Sequence, residues 1–153
     1  MKKILIACLT LLALQTEATK YMTKTGKITF TSKTPLETIE GVNKSVASLL
    51  DGQSGGLEFI VQIKSFVFDR QLLQEHFNEN YLESTKYPKS TFKGSITNIN
   101  AVNFGKEGEY KVDVAGKMMI HNVTKDVKNT GKVIVKGNTV TLVSDFSILL
   151  SDY

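Results

Sequence analysis

The chain has 153 residues, of which 41% are hydrophobic and 22% are charged, and it carries a formal net charge of +4. This balance is typical of one globular domain with a targeting segment attached, and it argues against wholesale disorder and against a polytopic membrane protein. One cysteine and two histidines exclude a disulfide scaffold, and with so few ligating side chains we expect neither a metal site nor a cofactor.

The basic residues are almost all lysines, because Arg70 is the only arginine. Proteins that read nucleic acids usually rely on arginine forks, so we expect no nucleic-acid partner. Lysine at this density favours anionic head groups or membrane surfaces, and we therefore expect peripheral membrane contact.

Residues 1–18 have the layout of a secretory signal peptide, with a basic start, an apolar run over residues 4–14 and small residues before a cleavage position after Ala18. The apolar run is too short for a membrane span, which needs about 20 residues. Residues 5–8 (LIAC) resemble a bacterial lipoprotein box, but so few apolar residues precede Cys8 that we interpret it as part of the signal core. The pattern predicts a periplasmic or secreted domain over residues 19–153.

The first half of that domain predicts strands. Residues 20–33 suit a strand with one wet face, which Pro35 ends. Residues 36–50 fit helical spacing, but Gly41 and the β-branched residues favour strands around a turn. A glycine-rich loop follows, and residues 57–68 predict a strand whose alternation slips before Phe66, as at a β-bulge.

The second half predicts one helix and then strands throughout. An apolar stripe over residues 71–82 predicts a short helix, with Asp69 as a candidate cap. Strands are predicted over residues 90–103, 110–120, 127–135 and 139–150, the last two joined by a hairpin at Gly137-Asn138. About seven strands with one helix indicate an antiparallel barrel or sandwich.

Catalytic patterns are sparse. His76, in the predicted helix, and His121, at a strand end, are interpreted as surface or turn histidines. Glu75, Glu79 and Glu83 repeat every four residues and would suit acid-base chemistry, but a solvated acidic ridge is the commoner arrangement.

The remaining unusual feature is the set of aromatic side chains, since eight phenylalanines and five tyrosines cluster on segments predicted to face inward. A barrel of about eight strands holds either packed side chains or one small ligand. On the residues alone a filled core is favoured. Asn43 and Asn122 each begin an N-glycosylation pattern, which matters only in a eukaryotic source.

Three segments resemble the YceI-like family. Residues 108–125 (GEYKVDVAGKMMIHNVTK) are similar to its signature of a glycine, an alternating strand opened by tyrosine, a second glycine and then Ile-His-Gly-Val-Thr-Lys. Residues 76–92 (HFNENYLESTKYPKSTF) resemble its His-led helix, acidic-aromatic stretch and Lys-Tyr-Pro turn, and residues 151–153 (SDY) resemble the start of its Asp-Tyr-Gly-Ile segment. The resemblance covers residues 57–153 well and is specific, because several motifs occur in order.

The resemblance implies an exported, all-β, lipocalin-like barrel with one short helix at about residues 71–82, which binds a polyisoprenoid or similar long-chain amphiphilic lipid in an apolar pore. For the head group of such a lipid we assign Arg70, His76 and Lys86. The predicted wall of the pore consists of Phe59, Val61, Ile63, Phe66, Phe77, Tyr81, Phe92, Tyr110, Val112, Val114, Met118 and Ile120.

The chain departs from the family pattern at three points. Asn122 stands where the family usually has glycine, although asparagine also tolerates a left-handed turn. Arg70 precedes His76 by six residues rather than the expected three. The chain stops where the family continues through a further strand, so we expect the barrel domain over residues 19–153 to be C-terminally incomplete.

Two rival functions stay open at this point. One is a structural or adhesive β-sandwich module with a filled core and no ligand. The other is an enzyme that uses His76 with Glu79. No nucleophile elbow or phosphate-binding loop is present in the sequence, so we expect a binder rather than an enzyme.

Overall fold

A computed structural model describes residues 19–153 as one antiparallel β-sheet that curls into a nearly closed barrel. This confirms the predicted all-β, lipocalin-like barrel class. The predicted signal peptide, including Cys8, lies outside the described residues. The strands are β1 (Lys20–Lys33), β2 (Thr38–Asp51), β3 (Gly56–Gln62), β4 (Val67–Phe68), β5 (Lys89–Ile96), β6 (Gly108–Ile120), β7 (Val123–Lys136) and β8 (Thr139–Val143).

The strands follow one another around the barrel in the order β1-β2-β3-β5-β6-β7-β8, and the short β4 pairs with the first half of β2. Within residues 19–153 no ladder joins β1 to β8, so these two strands border the gap in the barrel. Because all strands belong to one sheet, the alternative of a two-sheet sandwich is wrong. In the same part of the chain no helix is long and apolar enough to cross a membrane.

The first two strands form a long hairpin. β1 confirms the strand predicted over residues 20–33, whereas residues 36–50 contribute to one continuous strand, β2, rather than to strands around a turn. Gly41 pairs with Phe68 inside a ladder. A Cβ atom at Gly41 would lie 2.5 Å from Cζ of Phe68, so this glycine permits the close approach of an aromatic ring and marks no turn.

The slip predicted before Phe66 is a 3₁₀ turn, Ile63–Ser65, rather than a β-bulge. The turn ends β3 at Gln62 and interrupts the sheet, and pairing with β2 resumes at β4. The shift in apolar alternation along the sequence therefore marks the end of one strand and the start of another, whereas a bulge would leave the strand continuous.

Asn43 replaces the hydrogen bonds that this interruption removes. Its side chain is fully buried; Nδ2 donates to the carbonyl of Gln62 at 2.9 Å, and Oδ1 accepts from the Ser45 N–H at 2.9 Å. Buried polar groups need such partners. The glycosylation pattern at Asn43 therefore coincides with a structural asparagine, whereas Asn122 is exposed.

The helix predicted over residues 71–82 is present. α1 (Gln71–His76) continues directly into a π-helical turn, Phe77–Tyr81. The expected cap at Asp69 is wrong, because Arg70 holds the capping position and makes no side-chain cap hydrogen bond. The carboxylate of Asp69 lies instead 4.0 Å from Nε of Arg70.

Phe77 attaches this helical segment to the barrel. Its ring packs against Phe30, Phe66 and Phe68, with centroid distances of 5.9, 5.3 and 4.8 Å. Aromatic pairs in this range add to the free energy gained by burial. The helical segment therefore closes the end of the barrel at which β1 ends and β2 begins, and this end is called the helix end below.

The later strands confirm the predicted hairpin at Gly137-Asn138 but are shorter than predicted at two points. β5 ends at Ile96, and β8 ends at Val143 rather than at residue 150. Beyond Val143, the hydroxyl of Ser144 donates to the carbonyl of Thr130 at 2.7 Å and so occupies an acceptor that a strand N–H would use.

Two groups of buried side chains form the core. The large cluster consists of Leu50, Leu57, Phe92, Ile96, Val102, Val112, Val133 and Val135. The helix cluster consists of Val46, Val61, Ile63, Phe66, Phe68 and Phe77.

We expect Asn43→Ala to lower the free energy of unfolding by about 2 kcal/mol, because it removes two hydrogen bonds made by a fully buried side chain. Urea denaturation measures this change. The control is Asn80→Ala, at an exposed position of the π-helical turn, which should change the stability by less than about 0.5 kcal/mol. Equal midpoints for the two variants would contradict the role of Asn43.

Candidate functional site

The strand register assigns one face of each strand to the interior of the barrel. Directly paired residues of an antiparallel ladder have their side chains on the same face. Phe92, which is buried, pairs with Phe59 on β3 and with Met118 on β6, and Met118 pairs with Lys125 on β7. These four residues define a row across the interior face.

Most of the predicted wall residues lie in or against the two clusters. Phe92 and Val112 belong to the large cluster, against which Phe59, Tyr110, Val114 and Met118 pack with partial burial. Val61, Ile63, Phe66 and Phe77 belong to the helix cluster.

Two predicted wall residues lie elsewhere. Tyr81 is 63% exposed, so the expectation that its ring faces inward is wrong. It ends the π-helical turn, whose buried residue is Phe77, and one helical segment cannot bury both faces against the same core. Ile120 lies outside both clusters and is half-buried, at the end of β6.

Part of the interior face is apolar but not filled. Met118 and Ile120 on β6, with Val123 and Val127 on β7, share this face by register. All but Val123 are half-buried, and Val123 is 37% exposed. We call these four residues the β6–β7 strip. Met118 and Val127 pack against the large cluster, whereas Ile120 and Val123 lie outside both clusters. The strip therefore offers a ligand apolar surface that the clusters cover only in part.

Two depressions flank β7. One of about 500 Å³ lies beside the end of β5 and is lined mainly by outward-facing residues of β6 and β7, including Asp113, Lys128 and Thr130. The other, of about 230 Å³, lies between β7 and residues 147–153, and its lining includes Lys125 and Tyr153. The second adjoins the β6–β7 strip through Val127.

The residues assigned to a head group do not form one cluster. Arg70 is paired with Glu37, His76 is exposed at the end of α1, and Nζ of Lys86 lies 4.9 Å from the centroid of the Tyr87 ring. Interaction with Tyr87, and secondarily the charge of Glu83, holds the pKa of Lys86 above its ordinary value. Within residues 19–153 no hydrogen bond or ion pair joins any two of the three assigned residues.

The residues of the enzyme alternative are also separate. His76 and Glu79 are both exposed, and in the described part of the chain no hydrogen bond joins them. Residues 19–153 contain no group of three or more His, Cys, Asp or Glu side chains positioned to hold a metal ion.

His121 takes part in a contact that sequence reasoning missed. Its Nε2 lies 2.7 Å from Oε2 of Glu83, and its ring meets that of Tyr87 edge-to-face at 4.7 Å. Nδ1 of His121 lies 3.4 Å from the carbonyl oxygen of Tyr153. We call Glu83, Tyr87 and His121 the clasp, because they join the turn after the helix to the β6–β7 hairpin and to the last residue of the chain.

The clasp uses backbone conformations that most residues avoid. Glu83, His121 and Asn122 have φ angles of 42°, 50° and 62°. Left-handed backbone is strained for non-glycine residues and persists where the surrounding structure imposes it. Asn122 thus has the left-handed backbone expected at a position where the YceI-like family usually has glycine. The pairing of Glu83 with His121 had no local signal, since 38 residues separate the two.

Comparisons with known proteins agree with this architecture. Residues 15–153 match the sequence model of the YceI-like domain. The chain is similar to a polyisoprenoid binding domain from Saccharophagus degradans implicated in plant cell wall breakdown, with 12% identity and a TM-score of 0.69 over 82% of this chain and 74% of that one. It is also similar to BcnA from Burkholderia cenocepacia, with 17% identity and a TM-score of 0.53 over 86% of this chain and 70% of that one. No curated protein matches the chain.

We expect Glu83→Ala to lower the free energy of unfolding, because it breaks the contact with His121 and leaves a left-handed alanine. Glu83→Gly breaks the same contact but removes the backbone strain, and it should be more stable than the alanine variant by about 1 kcal/mol. Urea denaturation of both variants, with Glu79→Ala as an exposed control, measures the difference. Equal stability of the alanine and glycine variants would show that strain at Glu83 is negligible.

Proposed function

Because the chain belongs to the YceI-like family, we propose that it binds a polyisoprenoid or a similar long-chain amphiphilic lipid along the interior face of its barrel. The observation that carries the proposal is the β6–β7 strip, which is apolar, faces inward by register and is incompletely buried. The similar domain from Saccharophagus degradans is a polyisoprenoid binding domain, and this supports the choice of ligand.

Burial of the lipid tail supplies the driving force. Each buried CH₂ group contributes about 0.8 kcal/mol, so a tail of roughly 40 carbons would sum to about 32 kcal/mol. Measured affinities do not exceed about 18–21 kcal/mol. Incomplete burial and the ordering of the tail therefore offset much of the gain. Affinity then depends weakly on any single wall residue, and selectivity follows the length of the apolar interior.

We propose further that the domain acts as an exported carrier. The signal-peptide pattern of residues 1–18 supports export to the periplasm or to the medium. A carrier loads its lipid at a membrane, and three exposed apolar side chains at the helix end suit such a contact. They are Leu36, Val67 and Leu72, with exposures of 96%, 62% and 61%. The pairing of Arg70 with Glu37 holds the Leu36 turn beside the start of α1.

We expect Val114→Glu to abolish lipid uptake. Val114 packs against the large cluster from the interior face, so a carboxyl group there must either stay charged within apolar surface or take up a proton, and both are unfavourable. Ala115→Glu is the matched control, because Ala115 is the next residue, faces outward and pairs with Lys128. Mass spectrometry of organic-solvent extracts from purified wild type and both variants measures the bound lipid. Wild type and Ala115→Glu should yield a stoichiometric long-chain lipid, and equal yields from all three proteins would remove Val114 from the wall.

The membrane contact has its own test. Replacing Leu36 and Leu72 together with Asp should reduce cosedimentation with zwitterionic phospholipid vesicles several-fold, because the charges oppose insertion into the lipid interface. Val143→Asp, at an exposed apolar position on β8, is the control and should leave cosedimentation unchanged. Undiminished binding by the double variant would place the membrane contact elsewhere on the protein.

A further inference from the structure

Lys125 is the charged residue in the interior row. The other lysines of β5, β6 and β7 alternate with the inward-facing positions and therefore lie on the outer face. Lys125 instead pairs with Met118, which pairs with the buried Phe92. Its neighbours on the same face of β7 are Val123 and Val127. The side chain of Lys125 thus leaves the backbone within the apolar wall along which the proposed ligand would lie.

The ion pairing of Lys125 is looser than that of the lysines outside. On the outer face, Lys117 lies 2.8 Å from Asp126 and Lys132 lies 3.0 Å from Glu109. The Nζ atom of Lys125 lies 4.0 Å from the nearest oxygen of Asp152, and its side chain remains 46% exposed. The charge of Lys125 is therefore held near one carboxylate but remains open to a stronger partner.

Space for such a partner adjoins the lysine. The 230 Å³ depression is lined by Lys125 and Asp152 together with apolar side chains that include Val127, Ile148 and Leu149. An ammonium group at the border of apolar surface favours a ligand that joins a negative charge to a long tail. Arginine would offer a planar fork, whereas lysine is a point charge that accepts a compact anion in any orientation.

We propose that Lys125 holds the anionic end, a phosphate or carboxylate, of the lipid whose tail lies along the β6–β7 strip. This inference rests on the proposed lipid-binding function and narrows the ligand to an acidic amphiphile. The anion displaces Asp152 from Lys125. The other acidic side chain that lines the depression, Asp126, is already engaged, because it pairs with Lys117 on the outer face. Asp152 is therefore the charge that competes with the ligand.

The test compares two lipids that differ only at the head, a polyprenyl monophosphate and the polyprenol of the same length. Isothermal titration measures their binding to wild type, Lys125→Met, Asp152→Asn and the control Lys132→Met, which removes an outer-face lysine away from the depression. Lys125→Met should weaken binding of the monophosphate at least about tenfold, the range of a charge-assisted hydrogen bond, and change binding of the alcohol less than about twofold. Asp152→Asn should strengthen binding of the monophosphate, and Lys132→Met should change neither affinity.

The outcomes separate this inference from the proposed function. If wild type binds neither lipid, the proposed function fails. If wild type binds both equally, or if Lys125→Met weakens both to the same degree, lipid binding stands and the anchoring role of Lys125 is overturned. Asp152→Asn provides an independent test if Lys125→Met fails to fold. Weaker or unchanged binding of the monophosphate by Asp152→Asn also overturns the anchoring role of Lys125. Binding of inorganic phosphate alone with the same affinity would identify a free-phosphate site rather than a lipid head-group site.

Discussion

The close approach of Gly94 and Gly116 is the constraint on which the barrel interior depends. A Cβ atom on Gly94 would lie 2.6 Å from the Cα of Gly116, and a Cβ on either glycine would lie 2.8 Å from Cζ of Phe92. The Phe92 ring therefore lies across the glycine pair, where a larger side chain would displace it. From this position it contacts Phe59 at 5.4 Å and anchors the large cluster. Beside the ring, Val114 and Met118 on β6 pack against the same cluster and are only half-buried.

The barrel is filled unevenly, and the unevenness explains how one sheet serves both stability and binding. At the helix end, Phe77 draws three other phenylalanines into a packed group, and the helical segment covers it. Within residues 19–153 no α-helix covers the interior face on the side of β7. There the polar residues Lys125 and Asn129 alternate with valines, and residues 144–153 follow the strand through side-chain contacts instead of a continuous ladder. The loose attachment of residues 144–153 beside β7 is compatible with entry of a ligand there, whereas disruption of the phenylalanine group at the helix end would destabilise the core.

The sequence predicted the strands, the hairpin at Gly137-Asn138, the helix over residues 71–82 and most of the apolar interior. Each of these rests on local information, because side-chain alternation and turn chemistry act over a few residues. The same local information misassigned residues whose role depends on distant partners. Gly41 has the local pattern of a turn residue although it lies beneath Phe68, and Tyr81 fits the predicted wall although Phe77 occupies the buried side of the same helical segment.

Local patterns in the sequence thus specify the fold class and the number of apolar side chains. Contacts between distant segments establish which of these side chains remain accessible and which polar groups lie among them. Asn43 became a structural bridge because β3 ends opposite it, and His121 met Glu83 because two left-handed turns bring them together. Lys125 faces the interior because β7 pairs with β6 in one register. Side chains alternate with a period of two residues, so a shift by one position would have turned Lys125 outward and Asp126 inward.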